Sequence, residues 1–284
     1  MHGLAYDAVN DEIIVPVALS GAILVFKGSA RGNEPPVRVI QGLETRLIRP
    51  HTANVDPVSG EILAGDPSAR AVLVFDRLAN GNVKPKRILG GPKTGFREIV
   101  GVASDSVNNV IVVASRAPNG PSGIFIFDRL AQGDVAPIRS ITGPLTGALG
   151  RFRQLATDPE RGKIYLAVQA FRSQQPTPNK AADLYTNEAS LKKFRAREAE
   201  LKAAPPVQIP RLLQAGFIGV WDINDNGNVP PRMIIRGPET RSVGFAGVAF
   251  NPADGEVYGV SGNLNGFLTY LVPQFFEKPR TTQQ

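Results

Sequence analysis

FDRLANGNVKPKRILGGPKTG, Phe75 to Gly95, decides the fold because it recurs. From Phe127 the chain runs FDRLAQGDVAPIRSITGPLTG, from Trp221 WDINDNGNVPPRMIIRGPETR, and from Phe26 FKGSARGNEPPVRVIQGLETR. Each copy holds an aromatic, a Gly-Asn or Gly-Asp turn, a proline, an apolar run and a Gly-x-x-Thr exit. Self-similarity at a fixed period marks a repeat architecture.

The phase is constant. Phe26, Phe75, Phe127 and Trp221 are spaced 49, 52 and 94 residues apart, and the turn glycines Gly32, Gly81, Gly133 and Gly227 repeat those spacings. A second series, Asp7, Asp56, Asp105, Asp158 and Asn251, precedes the aromatics. The two series define five units of about 50 residues, the fourth carrying an insertion.

Each unit offers four short strand candidates. The first is rich in small residues, as in Gly101-Val102-Ala103-Ser104, and is followed by a turn such as Asp56-Pro57-Val58-Ser59-Gly60. Asp and Asn side chains at such positions bond the backbone two residues on, so these aspartates are expected to form turns rather than to act as catalytic carboxylates. The second strands are Glu12–Val17, Glu61–Gly65, Val110–Ala114, Lys163–Val168 and Glu256–Val260. The third are Ala22–Phe26, Ala71–Phe75, Gly123–Phe127, Gly216–Trp221 and Gly266–Val272, and the fourth are Val37–Ile40, Lys86–Leu89, Ile138–Ile141 and Arg232–Ile235. Four strands per unit with turn signals between them predict an all-β fold, a β-propeller of five four-stranded blades forming one domain over 1–284. Only four fourth strands are found, since the chain after Tyr270 carries no Gly-Asn turn. Five blades with imperfect closure is the expectation, and six blades the alternative.

The repeat also resembles a known family. Gly3-Leu4-Ala5-Tyr6-Asp7, then Glu12-Ile13-Ile14-Val15, then Ile23-Leu24-Val25-Phe26, looks like the NHL-type propeller repeat. The Gly-Asn-x-x-Pro-x-Arg block, Gly32 to Arg38 and Gly81 to Arg87, is similar to NHL-like repeats of bacterial exported proteins. That resemblance implies a periplasmic or extracellular setting. More distantly the chain resembles the lactonase-type (gluconolactonase-like) propellers, which hold a divalent cation at the centre with Glu, Asn and Asp side chains. The inner strands here offer no clear equivalent set.

In the fourth unit the insertion covers roughly 171–215. Its middle, Asn187 to Ala204, is full of helix formers, with Thr186 or Asn187 to cap it and Pro205 to end it. Leu191, Phe194 and Leu201 fall on one stripe at helical period, with Arg197 among the charged residues around it. The segment reads as a docking arm or lid, or as an elaboration packed on its own propeller. It leaves the blade between second and third strands, on the rim that also carries the connections from each fourth strand to the next blade. Those connections are basic, with Arg46, Arg49 and His51 in the first, Arg97 in the second, Arg151 and Arg153 in the third and Arg241 in the fourth. Clustered guanidinium groups suit carboxylate or phosphate. The rim therefore points to an acidic protein surface or a small anionic ligand, against the alternative of solvated loop arginines.

Composition narrows the chemistry. The formal net charge is +7, compatible with an anionic partner and equally with a soluble arginine-rich surface. There is no cysteine, which removes disulfides, thiolate metal sites and cysteine nucleophiles. The two histidines, His2 and His51, cannot build a multi-histidine metal site. No phosphate loop, dinucleotide fingerprint or nucleophile elbow is found, so no cofactor and no catalytic residue is expected. The aromatics fall at blade-core positions, so nucleic acid is not the expected partner. No apolar run is long enough to span a membrane. No signal peptide is visible, and the first residues already read as a repeat strand, so the numbering is expected to begin after a leader or earlier segment has been removed. The function these features favour is a non-enzymatic interaction or scaffold subunit of a larger complex, with a metal-dependent lactonase-like hydrolase as the alternative.

Overall fold

The computed structural model describes residues 3–117, 122–148, 152–169, 216–240, 242, 244–261 and 266–277. Five antiparallel sheets follow one another along the chain. Blade one comprises β1 (Ala5–Asp7), β2 (Glu12–Val17), β3 (Ala22–Lys27) and β4 (Arg38–Gln41). Blade two comprises β5 (Thr52–Val55), β6 (Ile62–Asp66), β7 (Ala71–Phe75) and β8 (Arg87–Gly90). Blade three comprises β9 (Glu98–Asp105), β10 (Val110–Arg116), β11 (Gly123–Asp128) and β12 (Arg139–Thr142). Blade four comprises β13 (Phe152–Asp158), β14 (Lys163–Val168), β15 (Phe217–Asp222) and β16 (Met233–Ile235). Blade five has three strands among the described residues, β17 (Gly247–Asn251), β18 (Glu256–Ser261) and β19 (Gly266–Leu271). The inner strands β1, β5, β9, β13 and β17 contact one another in order. The fold is a β-propeller. The helix expected within 171–215 lies outside the described residues.

Strand boundaries agree with the sequence pattern to within one or two residues, apart from β9. That strand starts three residues early because Glu98 and Ile99 keep pairing with Arg116 and Ser115 past an irregularity at Ala114/Ser115.

The turn chemistry follows the repeat. Asp7, Asp56, Asp105 and Asp158 each accept, through Oδ1, backbone amides two or three residues on, and Asn251 does the same for Ala253. The exit threonines close the fourth strands: Thr45, Thr94, Thr146 and Thr240 each donate a hydroxyl to the Gly42, Gly91, Gly143 or Gly237 carbonyl at 2.6–2.7 Å.

The core lies between blades. A strand shows its two faces to two neighbours, so each blade interface has its own apolar cluster. Phe75 packs with Ile14, Val25 and Ile40 between blades one and two. Phe127 packs with Leu63, Val74 and Phe96 between blades two and three. Trp221 packs with Ile126, Ile141 and Phe152 between blades three and four. Tyr165, Phe245, Val257, Phe275 and Phe276 fill the interface of blades four and five. Among the described residues no such cluster joins blade five to blade one.

Loops reinforce these interfaces. Gly81 of blade two donates its amide to Val39 of blade one at 2.6 Å and accepts from Gln41 at 3.1 Å. Gly133 makes the same pair of bonds to Ile88 and Gly90, and Gly227 to Ser140 and Thr142. The next side chain adds a third bond: Asn82, Asp134 and Asn228 accept from Glu44, Lys93 and Leu145. The Gly-Asn turn is therefore a latch on the outer strand of the preceding blade. The strand exit is shaped to receive it. Gly91 has φ +131, and a Cβ there would lie 2.5 Å from the Asp134 carboxyl carbon.

Candidate functional site: an arginine rim and an unfinished blade

Among the described residues, the rim of the strand-four exits presents fewer cations than its sequence suggests. Arg46 and Arg97 are exposed. Arg46 sits at φ 58, held left-handed where its amide closes the turn on Leu43. Arg49 is half-buried, and its backbone amide, with that of Ile48, is bound by Asp66 Oδ2 at 2.7 Å. Asp66 is itself fully buried. His51 is 2% exposed and lies beneath the rim rather than on it. Arg153 is half-buried inside β13. On the same rim Glu98 holds Arg116 in a two-pronged ion pair at 2.7 and 2.9 Å, so the ring of charge is partly neutralised. Arg151, Arg241, Leu191, Phe194, Arg197 and Leu201 lie outside the described residues.

The insertion leaves and rejoins blade four on this rim. Val168, at the end of β14, pairs with Phe217, at the start of β15, and with Phe152 of β13, next to Arg153. The strand ends that flank 171–215 and the described rim residues Arg46, Arg97 and Arg153 thus share one side of the ring.

Near the axis, Gln154 of β13 lies against both end blades. A Cβ added at Gly247 would be 2.6 Å from its Oε1, and one at Gly3 would be 3.5 Å from its Nε2. Blades one and five therefore approach each other at the centre. Outward they leave apolar surface exposed on both walls. Leu4 and Tyr6 are 54% and 56% exposed on blade one, and Phe267 is 67% exposed on blade five, its ring tilted against Tyr258. Among the described residues no three His, Asp or Glu side chains converge as a metal requires.

Two carboxylates of the lower side are clamped by neighbouring elements. Asp56, at the end of β5, is reached from blade three by the Ser104 hydroxyl at 2.6 Å and by Arg129 at 3.0 Å. Burial pushes its pKa up. The bonds from Ser104, Ser59, Arg129 and Val58 outweigh that effect and hold the group well below the usual carboxylate range. Glu61, before β6, is likewise buried, yet Lys86 and Arg87 of its own blade hold its pKa down.

Glu61 belongs to a series. Glu12 opens β2 and is gripped at 2.7 Å through both oxygens by Arg38 of β4. Arg87 grips Glu61 in the same way at 3.1 and 2.8 Å. In blade three the carboxylate position is Val110, and Arg139 turns to the Ile223 carbonyl. In blade four the pair is Lys163 and Met233. In blade five the carboxylate returns as Glu256, half-buried at the start of β18, with no fourth strand beside it among the described residues. Its side chain receives a bond from the Tyr258 hydroxyl. Instead of a fourth strand, the chain after β19 turns back to blade four. There Phe275 and Phe276 are buried and their carbonyls accept from Lys163 and Arg161. The Tyr270 hydroxyl donates to the Thr240 carbonyl at 2.9 Å.

The fold defines a class, the β-propellers, and solved structures agree. A chain of the mitotic checkpoint complex matches with a TM-score of 0.54 and 11% identity, covering 95% of this chain and 60% of that one. A chain of hydrazine synthase from Kuenenia stuttgartiensis matches with a TM-score of 0.56 and 10% identity, covering 91% of this chain and 54% of that one. This chain therefore spans somewhat over half of those neighbours, and the likeness is one of fold. No family model and no curated protein matches the chain. No helix among the described residues is long and apolar enough to cross a membrane.

Proposed function

We propose that this protein is a non-enzymatic, NHL-like β-propeller that serves as an interaction subunit, docking an acidic protein surface. The contact runs through its arginine-bearing rim and the insertion at 171–215. The observation that carries the reading is that exposed Arg46 and Arg97 share one rim with the Val168 and Phe217 ends of the insertion. Guanidinium groups on a rigid ring match carboxylates in fork geometry and steer an acidic partner on approach. The stripe of Leu191, Phe194 and Leu201, with Arg197 beside it, supplies apolar contact area. The checkpoint-complex neighbour is, by its description, a chain within an assembly, which fits a scaffold role. The NHL-like pattern carries with it a periplasmic or extracellular site of action.

The test is charge reversal. An Arg46→Glu, Arg97→Glu double variant is compared with the native chain for co-purification of native partners under mild conditions, as is a chain lacking 173–210. The reading predicts loss of the same partners in both variants and release of those partners as ionic strength rises. Unchanged partners in both variants would overturn it.

A further inference from the structure

Among the described residues blade five lacks one continuous piece, and the surrounding structure records the shape and chemistry of that piece. Four features converge on it. First, β19 is an edge strand among the described residues, whereas β3, β7, β11 and β15 each pair with a fourth strand. Second, Glu256 stands where Glu12 and Glu61 bind the arginine of a fourth strand. Third, Gly32 and Asn33 of blade one occupy the repeat positions from which Gly81 and Asn82 latch in blade two. The strand they should hold would belong to blade five. Gly32 keeps φ +60 and Asn33 is exposed. Fourth, Gly237 at the exit of β16 keeps φ +113, yet a Cβ there would meet nothing within 4 Å. Its equivalents at Gly42, Gly91 and Gly143 are filled by the Asn82, Asp134 and Asn228 latches of the following blade.

These features describe the two ends and the middle of a single segment. A Gly-Asn turn would sit on Gly237. A strand would then pair antiparallel with β19. Its end would be gripped by Gly32 and Asn33. We infer that blade five is completed in trans by an extended segment of a partner polypeptide with the pattern Gly-Asn-x-x-Pro-x-Arg-x-Ile/Leu-x-Gly, its arginine bound to Glu256. The inference deepens the interaction-subunit reading and rests on it.

The register is set by the other blades. Arg38 lies opposite Val25 and Ile40 opposite Ile23. Counting from the blade aromatic, Thr269 and Phe267 take those places in β19. The incoming arginine therefore lies opposite Thr269, and the branched residue two positions on covers Phe267, now exposed. Strand addition supplies main-chain bonds along the edge, while the Arg–Glu256 pair and the Phe267 contact supply selectivity.

The probe is a fluorescein-labelled peptide of this chain's own residues 80–95, NGNVKPKRILGGPKTG, which includes the Lys93 amide that the latch side chain binds, titrated into the full chain by fluorescence anisotropy. Saturable binding is expected. An Arg87→Gln change in the peptide or Glu256→Gln in the protein weakens it about tenfold, and the two together weaken it little further than either alone. Asn33→Ala weakens binding as well. Trp221 emission and circular dichroism check that each protein variant is folded.

Because the chain has no cysteine, register can be trapped. Phe267→Cys should form a disulfide with a peptide carrying Leu89→Cys, and Leu268→Cys, on the opposite face, should not. No saturable binding at millimolar peptide, or binding indifferent to Glu256→Gln, overturns the inference. So does binding that appears only after the chain is cut after Glu277, because the seat then belongs to the chain's own tail. Failure here with rim-dependent docking intact leaves the rim reading standing. Peptide binding with docking indifferent to Arg46→Glu and Arg97→Glu does the reverse.

Discussion

Gly81 donates its amide to the Val39 carbonyl at 2.6 Å, joining a loop of blade two to the outer strand of blade one. The same bond recurs from Gly133 to Ile88 and from Gly227 to Ser140. Blade-to-blade cohesion therefore has a polar, periodic component on the outside of the ring, besides the apolar clusters within.

That component is testable by contrast. Asn82→Ala removes the bond that Asn82 accepts from the Glu44 amide and is expected to cost about 1 kcal/mol. Asn33→Ala, at the equivalent place in blade one with no strand to hold, is expected to leave stability unchanged. Urea unfolding of the two variants checks this, and equal losses would remove the latch as a contributor.

Gly91→Ala should be far more damaging. The position has φ +131 and a Cβ would press on Asp134, so backbone strain and displacement of the latch combine. A loss of about 2–3 kcal/mol is expected. A urea midpoint equal to the native one would contradict the proposed fit of exit and latch.

Asp56 gives the pH dependence. Its pKa is lower in the folded chain than the unfolded value of about 3.9. Its contribution is therefore fully present above about pH 4 and is lost as pH falls toward the depressed folded value. Asp56→Asn leaves Arg129 without its carboxylate and is expected to cost about 3 kcal/mol near neutrality. The gap between native and variant should narrow steadily below pH 4 in denaturant titrations. A gap that stays constant down to pH 2 would show that the Asp56 charge is not the source.

Tyr165 runs the other way. It is fully buried, and its hydroxyl has no hydrogen-bond partner among the described residues. Burial pushes its pKa well up, so it stays neutral. Tyr165→Phe removes an unsatisfied polar group while keeping the ring stacked on Phe250 at 4.6 Å. Stability should be unchanged or rise by about 1 kcal/mol. A clear loss would mean that the hydroxyl has a partner.

Trp221, the single tryptophan, is fully buried between blades three and four. Its emission should be blue-shifted in the folded chain and move red on unfolding. Trp221→Ala is expected to cost about 3–5 kcal/mol. A loss under about 1 kcal/mol would show that this interface does not hold the ring together.

Much of this structure was legible as period and pattern. The strand count, the phase of the five units, the turn-forming aspartates and the missing fourth strand after Tyr270 all follow from local chemistry. Glycine at a left-handed turn, Asp before a reversal and alternating apolar residues act within a few positions of themselves. The candidate site was less legible. The rim residues were placed on one side of the ring by counting strands. Their exposure was not, because whether His51 reaches solvent depends on what packs over it.

By itself, then, the sequence determined that this is a propeller built of five units. Tertiary structure alone decided that the Gly-Asn turn grips the preceding blade and that Glu12 and Glu61 hold fourth-strand arginines. The reason is range. A turn is specified by neighbours in the chain. A latch or an ion pair joins positions such as Arg38 and Glu12, or Asn82 and Glu44, that only folding brings together.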